Sequence, residues 1–184
     1  MPPAGSRSAA SDARDAADHV PSDNDLALLA TRLGESLFTR GLTVATAESC
    51  TGGYLAKLIT DVPGSSRWFR CGFVAYSNEA KHRQLGVAPG TLATHGAVSE
   101  QTVIEMAVGA LIVGDVQRAV SVSGVAGPDG GTDAHPVGQV WFCRAQRLEN
   151  GSAGVLAIQR RFAGDRDAVR RHAVVVAMGL LVEP

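Results

Sequence analysis

The stretch from Leu42 to Ile59 restricts the fold of this chain more than any other. Leu42-Thr43-Val44-Ala45 is an apolar, β-branched run that reads as a buried strand, and Tyr54 to Ile59 resumes with helical spacing. Between them lies Thr46-Ala47-Glu48-Ser49-Cys50-Thr51-Gly52-Gly53. A strand that turns through small hydroxyl, thiol and glycine residues into a helix exposes a nucleophilic side chain at its carboxyl end. It also directs free backbone N–H groups into the space beside that side chain. Glycine lets a ligand approach the backbone closely. This turn is the expected reaction centre.

The rest of the chain supplies a core to hold such a turn. At 184 residues and 45% apolar composition, one domain with a sizeable core is expected over 23–184, preceded by a disordered leader over 1–22 that is rich in Ala, Ser, Asp and Pro. No apolar run approaches the roughly 20 residues of a membrane span, and no basic segment followed by an apolar one marks a secretory signal. Three cysteines without CxxC spacing argue against a disulfide framework or a zinc site and fit a cytoplasmic location. A formal charge of −1 gives no electrostatic case for nucleic acid. No metal and no cofactor is expected.

Leu26, Leu29, Leu33 and Leu37 recur at helical spacing after Ser22 or Asp23, and Gly41 supplies the stop. The strand at about 42–47 and the helix at about 52–60 follow, then a loop at Pro63–Ser66 and two packing aromatics, Trp68 and Phe69. A second strand is expected over 71–76 and a short helix over 79–85, with an irregular segment over 86–98. A helix opened by Ser99 ends near Gly114. A third strand, 118–123, runs into Gly124-Val125-Ala126-Gly127-Pro128-Asp129-Gly130-Gly131. Segments 138–143 and 155–158 read as an antiparallel pair joined by Glu149–Ser152, and Asp165 opens a final helix. The order implies an α/β fold, a mixed β-sheet covered by helices on both faces in α/β/α layers. Ligands collect at strand carboxyl ends in such folds, here 48–53, 76–81 and 123–131. Helical faces left over after the core is built lead to an expectation of self-association as a homo-oligomer.

Ser49 and Cys50 are both candidate nucleophiles. A serine is inert until a base takes its proton. His95 and His135 sit in loops that can reach a site, but no local Ser-His-Asp signature is present. Lys81 is the other candidate base, at a strand-to-helix junction after Tyr76, and it serves only if its pKa is depressed well below about 10.4. Neither glycine-rich turn is a P-loop or a dinucleotide fingerprint. Arg166, Arg170 and Arg171 cluster at the start of the last helix and can meet a phosphate bidentately.

These motifs resemble the CinA C-terminal domain family: Ala47–Gly53, Phe73–Lys81, His95–Glu100, Ser121–Gly131 and Gly164–Arg170, in order, over about residues 24–182. The likeness is greatest to the family's stand-alone nicotinamide-nucleotide amidases. It implies hydrolysis of the carboxamide of nicotinamide mononucleotide, a small-molecule substrate, to nicotinate mononucleotide and ammonia, with Ser49 as nucleophile and Lys81 and Tyr76 as its partners. It also implies substrate contacts at Ser123 and at either Arg166 or Arg170. Gly53, Asn78 and Gly124, at the same strand ends, complete the expected binding set. Backbone N–H groups of Thr51 and Gly52 are the expected oxyanion donors. Glu48 has two open roles, orienting Lys81 or binding the ribose. The competing reading is a catalytically silent nucleotide-sensing or interaction module, which would have no need of a serine–lysine pair.

Overall fold

The computed structural model describes residues 19–183. The expected leader lies outside the described residues over 1–18. Its last residues join the folded unit: Ser22 caps the first helix, and the Pro21 carbonyl accepts from Arg171. A five-stranded sheet has the order β2-β1-β3-β4-β5, with β1 (Val44–Glu48), β2 (Phe69–Val74), β3 (Arg118–Gly124), β4 (Gln139–Arg147) and β5 (Ala153–Arg161). β1 runs parallel to both of its neighbours, and β4 runs antiparallel to both β3 and β5. The helices are α1 (Asp23–Thr39), α2 (Tyr54–Thr60), α3 (Asn78–Leu85), α4 (Pro89–His95), α5 (Glu100–Val113) and α6 (Arg166–Val182). Among the described residues no helix is long and apolar enough to cross a membrane.

Strand alternation sorts the core into two layers. Val44, Val120, Val122, Val140 and Phe142 pack with α1, α2 and α6. Ala45, Ala47, Ala119, Cys143 and Ala145 face the other way, against α3 and α5. Trp68 is buried in the first layer against Gly34 of α1, and Phe69 packs at its margin, as expected of packing groups. Three arginines close the end of α6, whose last turn carries no basic residue of its own. Arg40 donates to the Val182 carbonyl, Arg118 to those of Leu181 and Glu183, and Arg144 to that of Glu183. Cations there complement both the unpaired carbonyls and the negative end of the helix dipole.

Element order matches the sequence expectation except over 86–98, where α4 forms with Pro89 in its first turn. None of its residues is buried, so no apolar stripe announced it. β2 also ends at Val74, which leaves Ala75 and Tyr76 outside the ladder. β4 and β5 run longer than expected because polar residues, Arg144, Gln146 and Arg147 on one strand and Gln159, Arg160 and Arg161 on the other, continue the pairing.

The crossovers place the site. After β1 the chain leaves for the α1/α2/α6 face, whereas after β2 it leaves for the α3/α5 face. Adjacent parallel strands whose connections part in this way open a crevice between their carboxyl ends. Close approach of α3 to α5 is permitted by Gly109, where a Cβ would stand 1.9 Å from the Leu85 carbonyl oxygen. Gly109→Ala is therefore expected to lower stability by about 1–3 kcal/mol, the usual cost of overpacking. Urea unfolding monitored by circular dichroism measures it.

Candidate active site

Alternation along β1 settles which side chains meet. Val44 packs with the α1/α2/α6 layer and Ala45 and Ala47 with the other, so Glu48 follows Val44 and Ser49 points toward α3. Ser49 N–H donates to the Val122 carbonyl, which continues the sheet one residue past the strand. Ser77 caps α3 by accepting from Ala80 N–H, and one turn of helix brings Lys81 back over the end of β2.

Lys81 is 0% exposed, and its Nζ makes three contacts. It lies 2.9 Å from Ser49 Oγ, 2.9 Å from the Ala75 carbonyl oxygen and 3.1 Å from that of Tyr76. A carbonyl oxygen only accepts, so two N–H bonds of the amine are directed at Ala75 and Tyr76. The remaining position faces Ser49 Oγ. In the neutral amine that position is the lone pair, which accepts the serine O–H. Among the described residues no carboxylate pairs with Lys81. Burial pulls its pKa down to about 8. This is the depression that a lysine base requires, and desolvation is the cause.

Around this pair the expected residues divide. Ser49 is 8% exposed at the crevice. Cys50 is buried, and loss of solvent pushes its thiol up to about 12, so it is neither ionised nor presented. Tyr76 contributes its main chain to Lys81, while its phenol is 61% exposed and accepts from Arg166 Nη2 at 3.2 Å. The hydroxyl is thus not a relay between Lys81 and Ser49. Arg166 also donates to the Gly127 carbonyl at 2.9 Å, which ties the second glycine-rich loop to the crevice. Arg170 Nη2 donates to the Thr51 carbonyl at 2.8 Å, with its guanidinium 5.5 Å from the centre of the Tyr54 ring. Arg171 is taken up by Asp23, Asp167 and the Pro21 carbonyl and stays away from the turn.

Ser123 Oγ is buried and donates to the Ala97 carbonyl at 2.7 Å, anchoring the segment before α5 to the end of β3. Gly124 is forced by packing, since a Cβ there would meet the Gln139 carbonyl oxygen at 2.6 Å. Asn78 is exposed in the first turn of α3, on a shallow hollow shared with His82, Pro89 and Leu92. None of the histidines bonds to Ser49 among the described residues: His82 meets the Val87 carbonyl, and His135 meets Gln139. Nor do three or more His, Cys, Asp or Glu side chains gather there in a way suited to a metal ion.

Two expected roles change. Gly52 N–H donates to the Ser49 carbonyl at 3.0 Å, which closes the turn and removes it as an oxyanion donor. The Cys50 and Thr51 N–H groups have no hydrogen-bond partner among the described residues and are the open donors of the turn. Glu48, 1% exposed, reaches neither Lys81 nor solvent. Its carboxylate accepts from the N–H groups of Gly53, Leu55 and Ala56.

The fold and this pair define an α/β protein with a serine and a desolvated lysine at the switch point of its sheet. A model of the CinA C-terminal domain family matches residues 26–184, and the chain belongs to that family, as its motifs implied. It is 55% identical over 161 residues to the nicotinamide-nucleotide amidohydrolase PncC of Escherichia coli K12, covering 86% of this chain and 94% of that protein. To the protein of the same name from Pseudomonas putida it is 53% identical over 154 residues, covering 83% and 93%. The crystal structure of a competence/damage inducible protein from Agrobacterium tumefaciens superposes with a TM-score of 0.81 at 41% identity, covering 89% of this chain and 96% of that one.

The lowered pKa of Lys81 carries a sign for stability. The folded protein resists protonating a lysine that the unfolded chain protonates readily, so the cost of burial is fully present below about pH 8. It is relieved as pH rises toward the unfolded value. Relative to Lys81→Met, the wild-type protein should gain roughly 2–3 kcal/mol between pH 7.5 and 10.5, at about 1.4 kcal/mol per pKa unit. Parallel denaturant titrations of the two proteins measure this difference.

Proposed function

We propose that this chain hydrolyses the carboxamide of nicotinamide mononucleotide, giving nicotinate mononucleotide and ammonia through an acyl-enzyme on Ser49. The observation that carries the proposal is the buried Lys81 amine, which lies 2.9 Å from Ser49 Oγ and has the Ala75 and Tyr76 carbonyls as its other partners, so that on deprotonation its lone pair is turned to the hydroxyl. The substrate follows from the relatives named nicotinamide-nucleotide amidohydrolase. A silent sensing module would have no use for a desolvated lysine kept beside a hydroxyl at a cost in stability.

As Ser49 Oγ bonds to the amide carbon, its proton passes to Lys81 Nζ. The carbonyl oxygen takes up negative charge, and the open N–H groups of Cys50 and Thr51 receive it. Lys81 then protonates the departing nitrogen as the carbon–nitrogen bond breaks, and ammonia leaves. Water enters, gives a proton to the same amine and attacks the ester, and the returned proton restores Ser49. One water is consumed and one ammonia is released. At the rim, Arg166 is exposed beside the Tyr76 phenol, which suits the phosphate of a mononucleotide. Arg170 is instead committed to the Thr51 carbonyl and supports the turn.

Ammonia release from nicotinamide mononucleotide tests the reaction. Ser49→Ala and Lys81→Met should each lower kcat by at least about 10³-fold with the fold intact. Cys50→Ala should stay within about threefold of wild type, because a buried neutral thiol has no part in the chemistry. Full turnover by Ser49→Ala would remove the acyl-enzyme.

The pH profile gives a second test. The base is the unprotonated amine, so kcat/KM should rise through about pH 8 and fall about tenfold per unit below it. A rise centred near pH 6.5 would indicate a histidine base instead.

A further inference from the structure

We propose that Glu48 is the positioning residue of the nucleophile: its buried carboxylate caps α2 from across the turn and thereby holds Ser49 and the open Cys50 and Thr51 N–H groups in place. The proposal rests on the reading of Ser49 as the nucleophile, and it assigns a residue that makes no contact with substrate.

The need for such a group follows from the local backbone. A helix begins with N–H groups that have no partner within the helix, and an N-cap side chain normally takes one or two of them. The N-cap of α2 is Gly53, in a left-handed conformation with φ 91°, and it has no side chain to offer. Glu48 fills the vacancy from five residues upstream. Oε2 accepts from Gly53 and Leu55 N–H, each at 3.0 Å, and Oε1 accepts from Ala56 N–H at 2.8 Å. Tyr54 N–H is taken by the Thr51 carbonyl, so the start of the helix is fully satisfied. The residues between strand and helix are thereby closed into a ring pinned at both ends by one carboxylate. Arg170 holds the same ring from α6 through the Thr51 carbonyl.

Glu48 also reaches the lysine, by its main chain. Its carbonyl accepts from Ala75 N–H at 2.8 Å, and the Ala75 carbonyl is in turn one of the two that hold Lys81 Nζ. The side chain faces the α2 layer while Ser49 faces α3, so the carboxylate sets the geometry of the pair without joining its proton transfer. It carries two acceptor oxygens for three donors, and no neutral side chain of the same length does so. The amide of glutamine would turn an NH2 group toward a backbone N–H and leave that donor unpaired.

The test is Glu48→Gln, assayed for nicotinamide mononucleotide turnover and for acetylation of Ser49 by p-nitrophenyl acetate. In the second assay Ser49 Oγ bonds to the acetyl carbon, its proton passes to Lys81, and p-nitrophenolate leaves. That step does not depend on which amide is the natural substrate. The expected result is a fall of about 10–100-fold in kcat and in the acetylation rate, with KM within about threefold and the pH midpoint unmoved, as for a misplaced but intact pair. Amide exchange at Gly53, Leu55 and Ala56 should be slow in the wild-type protein. Wild-type rates in Glu48→Gln, a change confined to KM, or a shifted midpoint would each overturn the assignment. Glu48→Asp keeps both oxygens but withdraws them by one methylene, and it should show the same loss in kcat if Glu48→Gln does not fold. Fast exchange at the three wild-type amides overturns the assignment whatever the variants do. If the wild-type protein acetylates Ser49 but leaves nicotinamide mononucleotide intact, the substrate reading fails, and the acetylation rates still decide the role of Glu48.

Discussion

Burial of one amine against two carbonyls governs the rest of this structure. An ammonium in that place lacks solvent and a counter-ion, so the lysine gives up its proton near pH 8, well below the usual lysine range. Every neighbouring element is arranged to keep it so. β2 ends one residue before Ala75, which frees the Ala75 and Tyr76 carbonyls from the sheet and turns them toward Nζ. The capped start of α3 fixes the approach of the side chain, and the bare backbone of Gly109 lets α3 lie close enough to α5 to seal it. Strand alternation does the remaining work. Glu48 and Ser49 are consecutive, yet they face opposite layers, so the Glu48 carboxylate bonds to the start of α2 and does not pair with Lys81. Had the register placed both on one side, an ion pair would hold the lysine protonated and remove it as a base.

Much of this was legible in the residues alone. The strand-turn-helix at 42–59 and the three strand ends follow from residue types and spacing, and periodicity and caps placed all but one of the helices. The residues alone left the base open between Lys81 and a histidine, and the serine–lysine pairing came from the family resemblance. The features that escaped reading are those in which the backbone acts. The resemblance names Tyr76 as a residue, but it is its main chain that meets Lys81. Gly52 N–H looked available until the turn was seen to close on the Ser49 carbonyl. Any residue can offer a carbonyl or an N–H, so such roles leave no mark in composition or spacing. α4 escaped for a related reason, since a helix that buries nothing has no stripe to read.

Glu48 shows a different limit. Its residue type pointed to an acid near the site, and both roles considered for it were chemical. The information that decided between partners was the pairing of a side-chain acceptor with donors five to eight residues later. A glycine N-cap preceded by a buried acid at a strand end is a signal that can be sought in sequence: the helix start lacks its own cap, and the acid lacks a cation. Each deficiency predicts the other.

The arginines at the start of α6 show how one helix serves both the scaffold and the rim. Four residues separate Arg166 from Arg170, so they share a face, and both lean over the strand ends. Arg171, one position on, is rotated by about 100° and is drawn into the carboxylates of Asp23 and Asp167. Along the shared face the two differ in depth. Arg170 is half-buried and bonded to the turn after Ser49, whereas Arg166 is exposed and bonded to a phenol and a loop carbonyl at the mouth. The same separation runs through the whole site. Groups that brace the strand ends around Ser49 and Lys81 are buried or half-buried and bonded to main chain, as with Glu48, Ser123 and Arg170. Arg166 and the Tyr76 phenol, at the mouth, are exposed and bonded to each other. Under the proposed amidase reading, chemistry and selectivity would rest on different residues, and a change at the rim would alter which amide is accepted while the buried amine and its serine stay as they are.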